Sequence, residues 1–241
     1  MAISYVGGNS GTAVNAGSVT VHLPGGMAVA DLILVCWSCG DDDFTQPTLA
    51  MTTAGYTELT TSTLSIDGGA AADGNLAVFY KYHNGTDTNV VTAASGTGTD
   101  SSNAVAVQVF RGVTGSALPS GSGPLEIAIQ TASATTPAGD PDPPQVSGFD
   151  ESKAYVVIAG ATGGATTPTL SAPTNYTTNA ILVAEGTETV RAGAGLAYRT
   201  GASDPENPGA FTSAGEGAWA SATMVLKEAF LPDLNMPRTR I

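Results

Sequence analysis

The sequence predicts an all-β protein made of two tandem β-sandwich domains, jelly-roll-like or immunoglobulin-like, with a short C-terminal tail. Three observations predict it. Strand-length runs, either alternating or continuously apolar, recur along the whole chain. Glycine (30) and proline (14) are spread through the 241 residues and break every stretch in which apolar residues begin to follow helical spacing. The landmarks of the first half then return in the same order in the second.

Each element follows from its local pattern. Val19-Thr-Val21-His-Leu23 alternates with period two, and Pro24-Gly25-Gly26 closes it. Leu32 to Trp37 is a continuous apolar run between Asp31 and Gly40-Asp41-Asp42-Asp43, a length that fits a buried strand. Ala77 to Tyr82 is rich in aromatic and β-branched residues and runs into the turn signal Asn84-Gly85. Val105, Val107 and Val109 share one strand face, and Ala104, Ala106 and Gln108 the other. Such a strand is expected to be packed on both sides. Leu125-Glu-Ile-Ala-Ile-Gln130 reads as a further strand, and the prolines of 137–144 as an extended segment.

The repeat sets the domain organisation. Asp31-Leu-Ile-Leu-Val-Cys-Trp-Ser38 has its counterpart in Lys153-Ala-Tyr-Val-Val-Ile-Ala-Gly160, and Gly55-Tyr56-Thr57 in Asn175-Tyr176-Thr177. Leu76-Ala-Val-Phe-Tyr80-Lys81 matches Ala194-Gly-Leu-Ala-Tyr198-Arg199, and Val107-Gln-Val-Phe-Arg111 matches Thr223-Met-Val-Leu-Lys227. The offsets drift from 122 through 120 and 118 to 116, as short loop deletions produce. A period of about 120 residues is the size of an ordinary domain and too long for a solenoid unit. The expected division is residues 1–115, residues 116–229 with a Pro/Gly-rich connection over 115–144, and a tail over 230–241. The alternative is a merger of both repeats into one larger double-sheet body.

Composition excludes several function classes. With 8 basic against 21 acidic residues the formal charge is −13; six of the cations are scattered singly and only Arg238 and Arg240 lie close together, so nucleic acid is not an expected partner. The longest apolar run is far short of the roughly 20 residues that a membrane helix needs. The first residues lack the basic and apolar regions of a cleaved signal peptide, so assembly in a cytoplasm is expected. Charged residues are 12% of the chain, against about 25% in average domains. Gly, Ala, Ser and Thr take their place, as in a surface that packs against neighbours with few long side chains to immobilise.

The residues that attract chemical readings have plainer ones. Cys36-Trp-Ser-Cys39 is a CxxC, but residues three apart on a strand point to opposite faces, and no second ligand pair exists for zinc. The second repeat has Ile158 and Ala161 at the matching places in this alignment. Asp41, Asp42 and Asp43 are the candidate calcium ligands, without the spacing of a calcium-binding loop. Asp204-Pro-Glu206 forms a second acidic loop. His22 and His83 are the only histidines, one in an alternating strand and one before a turn. No nucleophile elbow, metalloprotease or phosphate-loop motif is present, so no enzyme and no cofactor are expected. Tyr56, Tyr176, Tyr80 and Tyr198 hold equivalent places, as core or corner residues do, although such rings also stack on sugars. The tail carries Leu231, Leu234, Met236, Arg238, Arg240 and Ile241, which make it the candidate partner-binding segment.

One ordered set of short motifs remains. It runs Val21-His-Leu-Pro24, Asp31-Leu-Ile-Leu-Val35, Gly55-Tyr-Thr57, Tyr80-Lys81, Val109-Phe-Arg-Gly-Val113, Asp204-Pro-Glu-Asn-Pro-Gly209 and Val225-Leu-Lys-Glu-Ala229. The set, covering about residues 1–229, resembles a family of proteins encoded by tailed bacteriophages and prophages. The resemblance implies a non-enzymatic virion protein on the outside of the particle, of the capsid decoration type. Its partners would be other capsid or tail proteins and further copies of itself, with a trimer as one possible assembly. The alternative it leaves is a tail-tip or fibre adhesin whose loops bind host glycan.

Overall fold

The computed structural model describes residues 2–14, 18–40, 48–60, 64–66, 74–95, 102–114, 123–134, 139–164, 169–184, 191–214 and 218–229. They form no helix. In the first half the strands are β1 (Ser4–Val14), β2 (Thr20–His22), β3 (Leu32–Gly40), β4 (Thr48–Met51), β5 (Thr57–Glu58), β6 (Leu64–Ile66), β7 (Gly74–Tyr82), β8 (Asn89–Ser95) and β9 (Ser102–Arg111). The second half holds β10 (Gln130–Ala134), β11 (Tyr155–Gly164), β12 (Thr169–Ser171), β13 (Thr177–Ala184), β14 (Arg191–Thr200), β15 (Thr212–Ala214) and β16 (Trp219–Leu226). The chain is all-β and its sheets are antiparallel.

Two large sheets dominate. The first runs β1-β9-β3-β7-β5, with β6 also on β7, and the second β10-β16-β11-β14-β13. Both follow one chain pattern, with β10, β16, β11, β14 and β13 taking the places of β1, β9, β3, β7 and β5. In chain order β9 is the last strand of the first large sheet and β10 the first strand of the second.

The two large sheets lie face to face, and the largest buried cluster fills the space between them. Leu32, Leu34, Cys36, Ala104, Ala106 and Phe110 come from the first sheet, and Tyr155, Val157, Ala159, Ala194, Leu196 and Met224 from the second. Alanines alternate in this central layer with larger side chains such as Phe110, Tyr155 and Met224. Gln108 Nε2 donates across it to the Leu196 carbonyl at 3.0 Å.

Each large sheet also has an apolar outer face. On the first, Ile33, Val35, Trp37, Val105, Val107 and Val109 pack with Val21, Leu49 and Val90 of the small sheet β2-β8-β4. The second has the pair β12-β15 in that role, with Leu170, Phe211 and Val146 on Val156 and Ile158. The molecule is thus layered as small sheet, large sheet, large sheet, small sheet. The double-faced reading of Ala104 to Val109 is what β9 shows: every residue of Ser102–Phe110 is buried.

Proline shapes the outermost layer of the second half. Residues 139–145 belong to no strand and lie against β16. Ser221 Oγ donates to the Asp142 carbonyl at 2.8 Å and Thr223 Oγ1 to the Pro144 carbonyl at 2.7 Å, so side chains take the role of missing ladder bonds.

Two readings from the sequence are corrected. The strand expected over 125–130 begins only at Gln130, and Leu125 makes a single bridge to Leu226. The match of residues 31–38 to 153–160 is also off by one. Leu32 pairs with Phe110 and Tyr82, whereas Tyr155 pairs with Leu226 and Thr200. Phe110 and Tyr82 are the counterparts of Leu226 and Thr200, so Leu32 corresponds to Tyr155 and not to Ala154. A slip of one residue exchanges the faces of a strand. Cys36 therefore corresponds to Ala159, Trp37 to Gly160 and Cys39 to Thr162.

Candidate functional site

The two cysteines lie on opposite faces of β3. Cys36 belongs to the central cluster and Cys39 to the outer one. Burial pushes the Cys36 thiol up to about 12, so it is not a thiolate at neutral pH. The strand period separates the pair, as its spacing predicts. Asp41, Asp42 and Asp43 lie outside the described residues, as do Leu231, Leu234, Met236, Arg238, Arg240 and Ile241. His22 faces outward on β2, with Nδ1 2.6 Å from Asn89 Oδ1.

The chemistry-bearing side chains that the fold does bring together form a pair of braces, one on each large sheet. In the second half Tyr176, just before β13, donates its hydroxyl to Glu206 Oε1 at 2.9 Å. Arg199 on β14 donates Nη1 to the same oxygen at 2.8 Å. Glu206 is 4% exposed, and this pair of donors is what makes so deep a carboxylate tolerable. The acidic loop Asp204-Pro205-Glu206 is therefore anchored inward through Glu206. Asp204 accepts from the Gly148 N–H at 3.0 Å.

The first half repeats the scheme with other side chains. Tyr56 stands just before β5, and the Lys81 ammonium lies 5.6 Å from its ring centroid. Lys81 Nζ also reaches Asp87 Oδ1 at 2.6 Å and the Ala54 carbonyl at 3.0 Å. Lys81 corresponds to Arg199 and Asp87 takes the place of Glu206, so tyrosine, cation and carboxylate recur in order. The details differ: Asp87 is shorter than glutamate, and the Tyr56 hydroxyl is buried without a hydrogen-bond partner among the described residues.

Asp87 organises its own turn. It accepts from the Asn84 N–H at 3.0 Å, and Asn84 Oδ1 accepts from the Thr86 N–H at 2.8 Å, while Gly85 takes a φ of 95°. Burial is the largest single influence on its carboxyl and opposes ionisation. The hydrogen bonds from Lys81 and Asn84 and the charges of Lys81 and His83 together outweigh burial and hold it below the ordinary carboxylate range. His83 is buried, and its Nδ1 lies 3.3 Å from Asp87 Oδ2 without hydrogen-bond alignment. In Tyr56 and Tyr176 burial, then the nearby carboxylate, raises the phenol pKa, so both stay protonated and Tyr176 remains a donor.

A third brace closes the first sheet. Arg111 at the end of β9 grips Asp31 with two parallel bonds, Nε to Oδ1 at 2.9 Å and Nη2 to Oδ2 at 2.8 Å. Asp31 is 2% exposed and also accepts from the Ala28 N–H at 2.7 Å. Sequence reading named both residues within separate motifs and did not join them. The signal was available: an acid immediately before β3 and a base immediately after the Phe110 that pairs with Leu32.

No family model, curated protein or solved structure matches the chain.

Two of the four tyrosines that could serve as sugar platforms, Tyr80 and Tyr198, pack against other aromatic rings. Tyr198 stacks between Tyr5 and Tyr155, at centroid distances of 5.0 and 5.3 Å, with Phe110 edge-on at 5.9 Å. Tyr80 meets Tyr82 edge-on at 6.0 Å, and the Tyr82 hydroxyl donates to the Thr114 carbonyl. Nearby, a depression of about 190 Å³ between the N-terminal residues and β11 is lined by Ile3, Glu151, Lys153, Thr200 and Glu228. It is below the roughly 300 Å³ at which small-molecule sites begin, and its Lys153 is paired with Asp150 at 3.1 Å.

Proposed function

We propose that the protein is a non-enzymatic structural protein of a tailed-bacteriophage virion, exposed on the particle surface as capsid decoration proteins are, and held there by contacts between subunits. The observation that carries this reading is where the motifs of the resemblance fall. Asp31 of the Asp-Leu-Ile-Leu-Val motif pairs with Arg111 of the Phe-Arg-Gly-Val motif. Tyr56 of Gly-Tyr-Thr meets Lys81 of Tyr-Lys, and Glu206 of Asp-Pro-Glu-Asn-Pro joins Arg199 and Tyr176. Five of the seven motifs thus contribute a residue to braces that fix strand ends and loops. Residues that recur together for bracing belong to a scaffold, whereas those of an active site converge on a cleft. The low-charge Ser/Thr/Gly composition also supports a surface that packs against neighbours.

The test is made on particles of the phage or prophage that encodes the chain. Purified virions should contain it in many copies by quantitative mass spectrometry, and cryo-electron microscopy should place the four-layered body outside the shell. Deleting residues 231–241 should reduce its copy number if the tail is the attachment arm. A chain that stays in the soluble lysate while the particles are complete overturns the reading. If fluorescent protein labels host cells and the particle carries it only at the tail tip, the adhesin reading replaces it.

A further inference from the structure

Asn84 is the only asparagine of the chain that is followed by glycine. It stands in the turn between β7 and β8, exposed, beside an equally exposed Gly85 whose φ is 95°. Three donors converge on its side-chain oxygen: the Thr86 N–H at 2.8 Å, the Thr86 hydroxyl at 2.8 Å and the Asp87 N–H at 3.2 Å. The first of these bonds folds the side chain back over its own peptide, so that Asn84 Cγ and the Gly85 nitrogen belong to one small closed ring. Neither Asn84 Nδ2 nor the Gly85 N–H has a hydrogen-bond partner among the described residues.

An amide carbon surrounded in this way is primed for attack. Negative charge moves to the amide oxygen as a nucleophile adds to the carbon, and donors already aimed at that oxygen stabilise it. The nucleophile closest along the chain is the backbone nitrogen of the next residue, and a glycine there has no side chain to block the approach. The turn itself favours glycine at this place, because φ is positive and a Cβ would stand 3.1 Å from Val29 Cγ2. The feature that shapes the turn is therefore also the one that leaves the Gly85 nitrogen open.

We propose that Asn84 is a site of spontaneous chemical modification, at which the turn's own donors promote loss of the side-chain amide. Hydroxide takes the Gly85 amide proton, the Gly85 nitrogen bonds to Asn84 Cγ, and the Cγ–Nδ2 bond breaks. The leaving nitrogen takes a proton from water and departs as ammonia, which regenerates the hydroxide and leaves a succinimide. Water then adds to either carbonyl of that ring and opens it, so residue 84 becomes aspartate or isoaspartate. Aspartate keeps the turn, because a carboxylate accepts from the same three donors. Isoaspartate routes the main chain through the β-carbon and lengthens it by a carbon atom, so Asp87 loses its alignment with the N–H of residue 84 and with Lys81 Nζ. Lys81 sits against Tyr56, so the brace of the first half loosens as the molecule ages. Its counterpart around Glu206 contains no asparagine–glycine pair and stays closed. This chemistry is independent of the virion reading.

The full chain is incubated at mildly alkaline pH and mapped by mass spectrometry with separation of the isomers. Asn84 should convert at least as fast in the folded chain as in the chain denatured in guanidinium at the same pH, and the other asparagines far more slowly. Thr86→Val removes the hydroxyl donor and should slow the conversion about fivefold, the worth of one ordinary hydrogen bond, with an unchanged circular dichroism spectrum. The isoaspartate form, isolated by ion exchange, should show hydrogen exchange at residues 83–87 about tenfold faster than the unmodified chain, and Asn84→Asp should not. An Asn84 that stays intact in the folded chain while the denatured chain converts overturns the proposal, since the turn then protects the amide. An unchanged rate in Thr86→Val overturns it too, because the donors then contribute nothing. Should that variant misfold, the comparison of folded with denatured wild-type chain decides alone. An isoaspartate form whose turn exchanges like the unmodified one overturns the loosening of the brace.

Discussion

The residues that looked most chemical are held by the scaffold, and the two halves test this against each other. Tyr176 and Tyr56 occupy the same corner, but among the described residues only Tyr176 has a hydroxyl partner. Removing the Tyr176 hydroxyl leaves the buried Glu206 carboxylate on Arg199 alone, and a lost bond to a buried charge costs about 2 kcal/mol. The Tyr56 hydroxyl is buried without a partner among the described residues, so its removal breaks no bond there and relieves a desolvated group. Tyr176→Phe is expected to lower unfolding stability by about 2 kcal/mol and Tyr56→Phe to change it by less than about 0.5 kcal/mol in either direction. Urea denaturation of both variants measures the difference. Equal losses would mean that the corner acts through ring packing and not through the carboxylate.

At the scale of the element, what could be read from the sequence depended on whether a signal was local. The alternation of valine and alanine over 104–109 gave β9 both of its faces, and the strand period gave the separation of Cys36 from Cys39. Register was not local. A polar residue precedes the apolar run in each half, Asp31 in one and Lys153 in the other, and matching them shifted β11 by one residue. Partner strands set register, and these lie far away in sequence. The corrected match shows how each half fills one site: Trp37 fills it from within β3, whereas in β11 Gly160 leaves it open and Phe211 enters from a loop. A Cβ on Gly160 would stand 2.9 Å from two atoms of the Phe211 ring, which is fully buried. Gly160→Ala should therefore cost about 1–3 kcal/mol by overpacking. In the double variant with Phe211→Leu the losses should sum to less than the two single ones, because the smaller side chain leaves room for the methyl. Thermal denaturation of the four proteins closes the cycle, and strict additivity would exclude the steric account.

At the scale of the whole molecule, the repeat says that the halves are alike but not which of their faces meet. Both faces of β3 and of β11 are apolar, so neither pattern marks one face as the side toward a second large sheet. The structure sets the alanine-rich faces inward and leaves each half with an outer core of its own. A half on its own would keep its outer core and lose all cover from the inner face of its large sheet, including Leu34, Val78 and Phe110 in the first half and Val157, Leu196 and Met224 in the second. An exposed apolar face of that extent drives association. It would also leave the Gln108 amide and the Leu196 carbonyl, now bonded to each other, without their buried partners. Residues 1–115 and 116–241 produced separately should accordingly be insoluble or self-associating, with dye-accessible apolar surface, whereas the two produced together should yield a soluble one-to-one complex. Size-exclusion chromatography and a hydrophobic-dye assay read both outcomes. Two halves that are each monomeric, with sharp denaturation transitions, would show that the central layer is a contact between finished domains and not part of the core that folds them.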